Sequence, residues 1–200
     1  VRNLLDLIEP DLRPCRVDRL HDTAAHVTAA DGTVFGLTVH VDRRKLMTLQ
    51  EATAHVDGPP AAAEETTTME FHHTGQFRRT GLRAKLRGPA STGATVLRDR
   101  LLADPALRAA CLPLDFTQFR VVVVDGRWRA ELRLMGGSHV RTRLPPGGSY
   151  VRLGADQRDA LLATVRALAR VLPAGGSEPT ASTSMDSPAH LPARPISPGG

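Results

Sequence analysis

Three groups of side chains in this sequence have the types and spacing to do chemistry. The largest is a set of cations: Arg79, Arg83, Lys85, Arg87, Arg127, Arg129, Arg133, Arg141 and Arg143. They fall in segments where basic and apolar residues alternate, and a period of two puts each set on one face of a strand. Guanidinium groups ranked on one sheet face could hold phosphates or carboxylates bidentately. They could also draw nucleic acid to the surface through counterion release. The competing reading is a solvated antiparallel face. Single-strand binders add stacking aromatics to their cations. Here Trp128 falls on the apolar side and Phe77 alone is in phase with the arginines, so the pattern favours an anionic ligand or an acidic protein surface over RNA.

The second group is Glu70, His72 and His73. On a strand, Glu70 and His72 share a face and His73 opposes them. With His40 or His55 from a neighbouring strand they could form a metal site, which makes a metal-dependent enzyme the alternative function. No HExxH and no Cys/His zinc spacing accompanies them. The third group is nucleophilic. Ser138 and His139 are adjacent and project to opposite faces of a strand, and no GxSxG is present. Cys15 and Cys111 form no CxxC, and Cys111 follows Leu107 at helical spacing as a small buried residue would. Pro145-Pro146-Gly147-Gly148-Ser149 precedes a strand, whereas a phosphate loop runs from strand into helix. No cofactor is implied.

The elements that must position these residues are legible from periodicity. Asn3 to Glu9 predicts a short helix stopped by Pro10 and Pro14. Asp31-Gly32 marks a hairpin, after which Phe35, Leu37, Val39 and Val41 share one face and Thr38 and His40 the other. Residues 44–56 fit a strand better than a helix, and 57–68 read as a loop. Strands are predicted at 69–73 and 76–87, joined near Thr74-Gly75, with Leu82, Ala84 and Leu86 inward. Ser91 or Thr92 caps a helix, and Asp104-Pro105 opens another turn of it. Residues 116–135 predict a hairpin about Asp125-Gly126, with Trp128, Ala130, Leu132 and Leu134 inward. Gly136-Gly137 turns the chain, and a strand to Leu144 follows that Pro145-Pro146 ends. Tyr150 to Leu153 is a short strand, and 156–172 an amphipathic helix.

The expected fold is α+β: a mainly antiparallel sheet with two amphipathic helices packed on one face and a disordered C-terminal tail. Residues 1–172 form the domain, and 173–200, rich in Pro, Gly and Ser, form the tail.

Charge is distributed unevenly. Residues 1–73 hold 7 basic and 12 acidic groups, and residues 74–145 hold 14 basic and 5 acidic. The basic middle either meets an anionic partner or folds against the acidic first third. Between two chains the same complementarity would give a homo-oligomer. With 24 arginines, two lysines and abundant Ala, the composition suggests a GC-rich bacterial source. Two cysteines, no apolar run of about 18 residues and no secretory pattern at the start suggest a cytoplasmic protein.

Leu112-Pro113-Leu114-Asp115-Phe116, Gly126-Arg127-Trp128 and Tyr150-Val151-Arg152-Leu153, with Gln157 and a Leu/Ala-rich helix, resemble an uncharacterised bacterial family of unknown function over roughly residues 76–172. These pieces are strand edges and a helix. The resemblance implies a folded domain and brings no activity, cofactor or site residue.

Overall fold

A computed structural model describes residues 3–61, 67–75, 79–88, 91–124 and 126–172. The tail at 173–200 and Phe77 lie outside the described residues.

Asn3 caps the first helix, α1 (Leu4–Ile8), accepting from Leu5 N–H, while Asp6 returns the bond to the Asn3 N–H. Then come β1 (Arg16–His21), β2 (Ala24–Thr28), β3 (Val34–Arg43), β4 (Met47–Pro60), β5 (Thr68–Thr74) and β6 (Gly81–Arg87). Two helices follow, α2 (Thr92–Ala103) capped by Ser91 and α3 (Pro105–Cys111) capped by Asp104. The chain closes with β7 (Phe116–Val124), β8 (Arg127–Leu134), β9 (Ser138–Arg143), β10 (Pro146–Val151) and α4 (Ala155–Val171).

Among the described residues ten strands form one sheet, and every pairing is antiparallel. The order is β1-β2-β3-β4-β8-β7-β5-β6, with β9 also on β4 and β10 on β9. The 14-residue β4 is the axis: β3 flanks one side, while β8 and β9 share the other. Alternation then selects the core. Phe35, Leu37, Ala52, Ala54, Met69, Phe71, Phe119, Val121, Trp128, Ala130 and Leu132 are buried with Leu101, Leu107, Leu161, Val165 and Leu168 of the helices in one cluster. Phe71 and Phe119 stack at 4.4 Å across the β5–β7 ladder. Both amphipathic helices lie on this side, as the apolar periodicity requires.

Three expectations are corrected. Residues 57–60 continue β4 rather than opening a loop. Pro145-Pro146 do not end the strand; Leu144-Pro145 is a two-residue turn, and Pro146 begins β10, an edge strand where a missing N–H is tolerated. Gly136-Gly137 form a turn, but it leaves β8 and β9 running in the same direction. Thr53 pairs with Arg133 and Gln50 with His139, so Glu51 and Ala52 stand opposite five residues, Leu134 to Ser138. The segment bulges by three residues and continues along β4 in the same direction. Three is odd, so the alternation changes phase across the bulge.

Candidate functional site

That phase change divides the arginines. On β6 and β8, Arg83, Lys85, Arg87, Arg127, Arg129 and Arg133 lie on the open face of the sheet, opposite the helices. On β9, Arg141 and Arg143 lie on the helix side, in line with Thr48 and Gln50 of β4. Arg79 belongs to neither set. It reaches the Leu112 and Leu114 carbonyls and forms an ion pair with Asp115.

Most open-face arginines are already engaged. Arg87 Nε is 2.6 Å from Glu70 Oε2, Arg120 Nε 2.6 Å from Glu131 Oε2, and Arg129 Nε 2.6 Å from Asp57 Oδ1. Arg133 Nη1 is 3.7 Å from Glu51 Oε2, and Arg127 donates to the Gly58 carbonyl at 2.9 Å. Asp57 and Glu51 come from the acidic first third, so the basic middle folds against it within one chain. Each exposed pair adds little stability, but each removes a cation from the surface. The Arg87 hydrogen bond holds the Glu70 carboxyl below its ordinary range. Burial raises Asp57, but the hydrogen bond and charge of Arg129 overcome it and its pKa is also lowered.

The histidine group does not converge. Glu70 and His72 face outward beside Lys85 and Arg83. His73 turns to the helix side, where its Nε2 lies 2.9 Å from the Cys111 carbonyl and its ring stacks on Phe116 at 4.3 Å. Among the described residues, no three His, Cys, Asp or Glu side chains are grouped to hold a metal. Ser138 Oγ donates to the Met135 carbonyl at 2.8 Å and closes the bulge. Cys111 is buried beside Thr164, and burial pushes its thiol up to about 12.

Two half-buried imidazoles should make the fold sensitive to acid. The His55 ring occupies the space beside Gly36 of β3, where a Cβ would collide with it. Burial, and then the charge of Arg129, lowers its pKa; burial and Arg79 lower that of His73. Both titrate below 6.5 in the folded protein, so the unfolded chain takes up these protons first. The stability they contribute is complete above 6.5 and is lost as pH falls through their folded values. Urea midpoints are therefore expected to drop as pH falls below 6.5. His55→Gln with His73→Gln should flatten that slope, and an unchanged slope would reject this origin.

One recess collects cations that make no ion pair among the described residues, although the Asp22 carboxylate also lines it. Arg43, Arg141 and Arg143 line a cavity of about 540 Å³ with Asn3, Asp22, Thr23, Val39, Val41, Thr48 and Gln50. The ladder explains the convergence, since Thr48 pairs with Arg43 on one side and Arg141 on the other. Arg143 lies two residues further along the same face. Val39 and Val41 belong to the apolar stripe of β3, which here runs past the helices. Gln50 Oε1 is 3.4 Å from His139 Nδ1. None of the three guanidinium groups makes an ion pair among the described residues, unlike those of Arg87, Arg129 and Arg133. Among the described residues Arg83 also makes no ion pair; it lines a second hollow with His72, Lys85 and Arg87 on the β6 edge.

Alternation in the sequence does not single out Arg43, because it lies in the acidic first third, at a strand end. The run Arg43-Arg44-Lys45 was the available signal.

The sequence pattern of a family described as "Protein of unknown function (DUF3156)" matches residues 10–172. The chain belongs to that family. The match takes in every strand and helix except α1, which is more than the 76–172 resemblance covered. No curated protein and no solved structure matches the chain. The residues that carry the resemblance hold the fold. Gln157 accepts from the Asp115 N–H at 2.6 Å and donates to the Pro113 carbonyl at 2.7 Å, which pins the α3–β7 connection to α4.

Proposed function

We propose that this domain is a binding module for phosphate-bearing anions, held at the end of the sheet by Arg43, Arg141 and Arg143. The observation that carries the reading is one recess with three guanidinium groups from β3 and β9 and no ion pair to any of them among the described residues. Clustered like charges repel, and a bound oxyanion relieves that repulsion while taking bidentate bonds. Thr48 between Arg43 and Arg141, and Gln50 beside them, add neutral polar groups. The cavity is of a size that suits small ligands. The open face supports binding less well, because carboxylates already hydrogen-bond Arg87 and Arg129, and Glu51 stands 3.7 Å from Arg133.

Calorimetric titration with inorganic pyrophosphate at low salt tests this. A charge-assisted hydrogen bond contributes about 1.5–3 kcal/mol, so Arg43→Ala, Arg141→Ala and Arg143→Ala should each weaken binding about tenfold or more. Arg87→Ala should leave it unchanged. Sensitivity to Arg87 with indifference to Arg141 would move the site to the open face and end the proposal.

A further inference from the structure

The same end of the sheet carries a feature that a soluble anion would not use. Leu46, in the β3–β4 turn, is 60% exposed, and Leu144, in the β9–β10 turn, is 76% exposed. The two turns lie side by side, because the Arg143 N–H donates to the Leu46 carbonyl at 2.9 Å. The other exposed large apolar residues, Leu20, Val34, Val96, Met135 and Val151, each sit on a different part of the chain and need no explanation.

Arg43, Arg44 and Lys45 lead into Leu46, Arg143 precedes Leu144, and Arg141 lies two residues back on β9. Arg44 is paired with Asp42 at 2.9 Å. The other four make no ion pair among the described residues. Two apolar tips within a basic ring match the layers of an anionic bilayer. Short hydrocarbon side chains enter the interface, and long basic ones stay at headgroup depth. Nucleic acid offers the charge without an apolar layer, and a free phosphate leaves both leucines in water.

We infer that this end of the sheet docks on a bilayer with anionic headgroups, Leu46 and Leu144 entering the interface while Arg43, Lys45, Arg141 and Arg143 engage lipid phosphates. The inference rests on the anion-binding reading and names the source of the anion. Binding is peripheral: among the described residues no helix is long and apolar enough to cross a membrane.

The test is co-flotation of the full chain with vesicles of phosphatidylcholine alone or with about one third phosphatidylglycerol. Binding is expected to the mixed vesicles only, and to fall as salt rises. Replacing a basic residue near the surface costs about fivefold in partitioning, so Arg141→Gln with Arg143→Gln should reduce it more than tenfold. Leu46→Gln with Leu144→Gln should reduce it about tenfold, with an unchanged urea midpoint and an unchanged pyrophosphate titration. Flotation indifferent to the leucines overturns the inference. So does absent flotation with pyrophosphate still bound, which leaves the anion site intact as a site for a free ligand. An oligonucleotide bound equally by parent and leucine variant, without flotation, assigns the surface to nucleic acid and also overturns it. Leucine-dependent flotation without pyrophosphate binding supports docking and removes only the free-ligand reading.

Discussion

Asp11→Ala is expected to lower the unfolding free energy by about 3 kcal/mol, read as a shift of the urea midpoint at constant slope. Asp11 lies just after α1, with its side chain 3% exposed. Its carboxylate accepts from the Tyr150 hydroxyl at 2.8 Å, from the Leu153 N–H at 3.0 Å and from Arg152 at 3.1 Å. Burial, and then the carboxylate itself, raises the Tyr150 pKa, so the phenol remains a donor throughout the accessible pH range. Removing the acceptor strands a partly buried hydroxyl and a buried N–H. Hydrogen bonds to a charged group contribute about 1.5–3 kcal/mol each, and two of them set the expected size. Arg152 is 80% exposed and rehydrates, so it adds little. Asp11→Asn keeps one acceptor oxygen and should lose about half as much. A change below about 0.5 kcal/mol for Asp11→Ala would mean that water replaces the carboxylate and that this node does not tie the chain together.

The bonds of Asp11 span about 140 residues, and no local pattern announces such a contact. Local patterns did announce much else. Asp31-Gly32 and Asp104-Pro105 sit where a turn and a helix start are found, with Gly32 at φ +84°. The alternation of Trp128, Ala130, Leu132 and Leu134 gave the buried side of β8. What stayed hidden shares a cause. β1 reads Arg-Val-Asp-Arg-Leu-His, with no apolar stripe, because it is an edge strand at the rim of the sheet. The ion pairs of Arg129 with Asp57 and Arg133 with Glu51 depend on β4 lying next to β8, and strand order is not written in periodicity. The sequence could state that Arg141 and Arg143 share a face with each other. It could not state that this face is the helix side, because the phase is reset by three residues at 135–137. The arginines that looked like one ladder are thus two sets, and the smaller set meets Arg43 in a recess where none of the three makes an ion pair among the described residues.

Gly137 fixes that phase, and Gly137→Ala is expected to cost about 3 kcal/mol. Its φ is +80°, where a side chain adds about 1–2 kcal/mol of backbone strain. Its N–H donates to the Val151 carbonyl at 2.7 Å, which ties the bulge to the end of β10. A Cβ there would collide with Ile8 of α1 and come within 3.7 Å of Ala52, and displacing a packed core side chain adds about 1–3 kcal/mol more. Gly32→Ala is the control. Its φ is +84°, but a Cβ would meet nothing within 4 Å, so only the strain applies and about 1 kcal/mol is expected. The functional consequence separates the two further. Shifting β9 by a single residue would swing Arg141 and Arg143 away from Arg43 and onto the open face. Gly137→Ala should therefore weaken pyrophosphate binding under conditions where the protein remains folded, and Gly32→Ala should not. Equal losses of stability in the two variants, with binding unchanged in both, would show that the bulge tolerates a side chain and that β9 owes its phase to its pairing with β4 and β10.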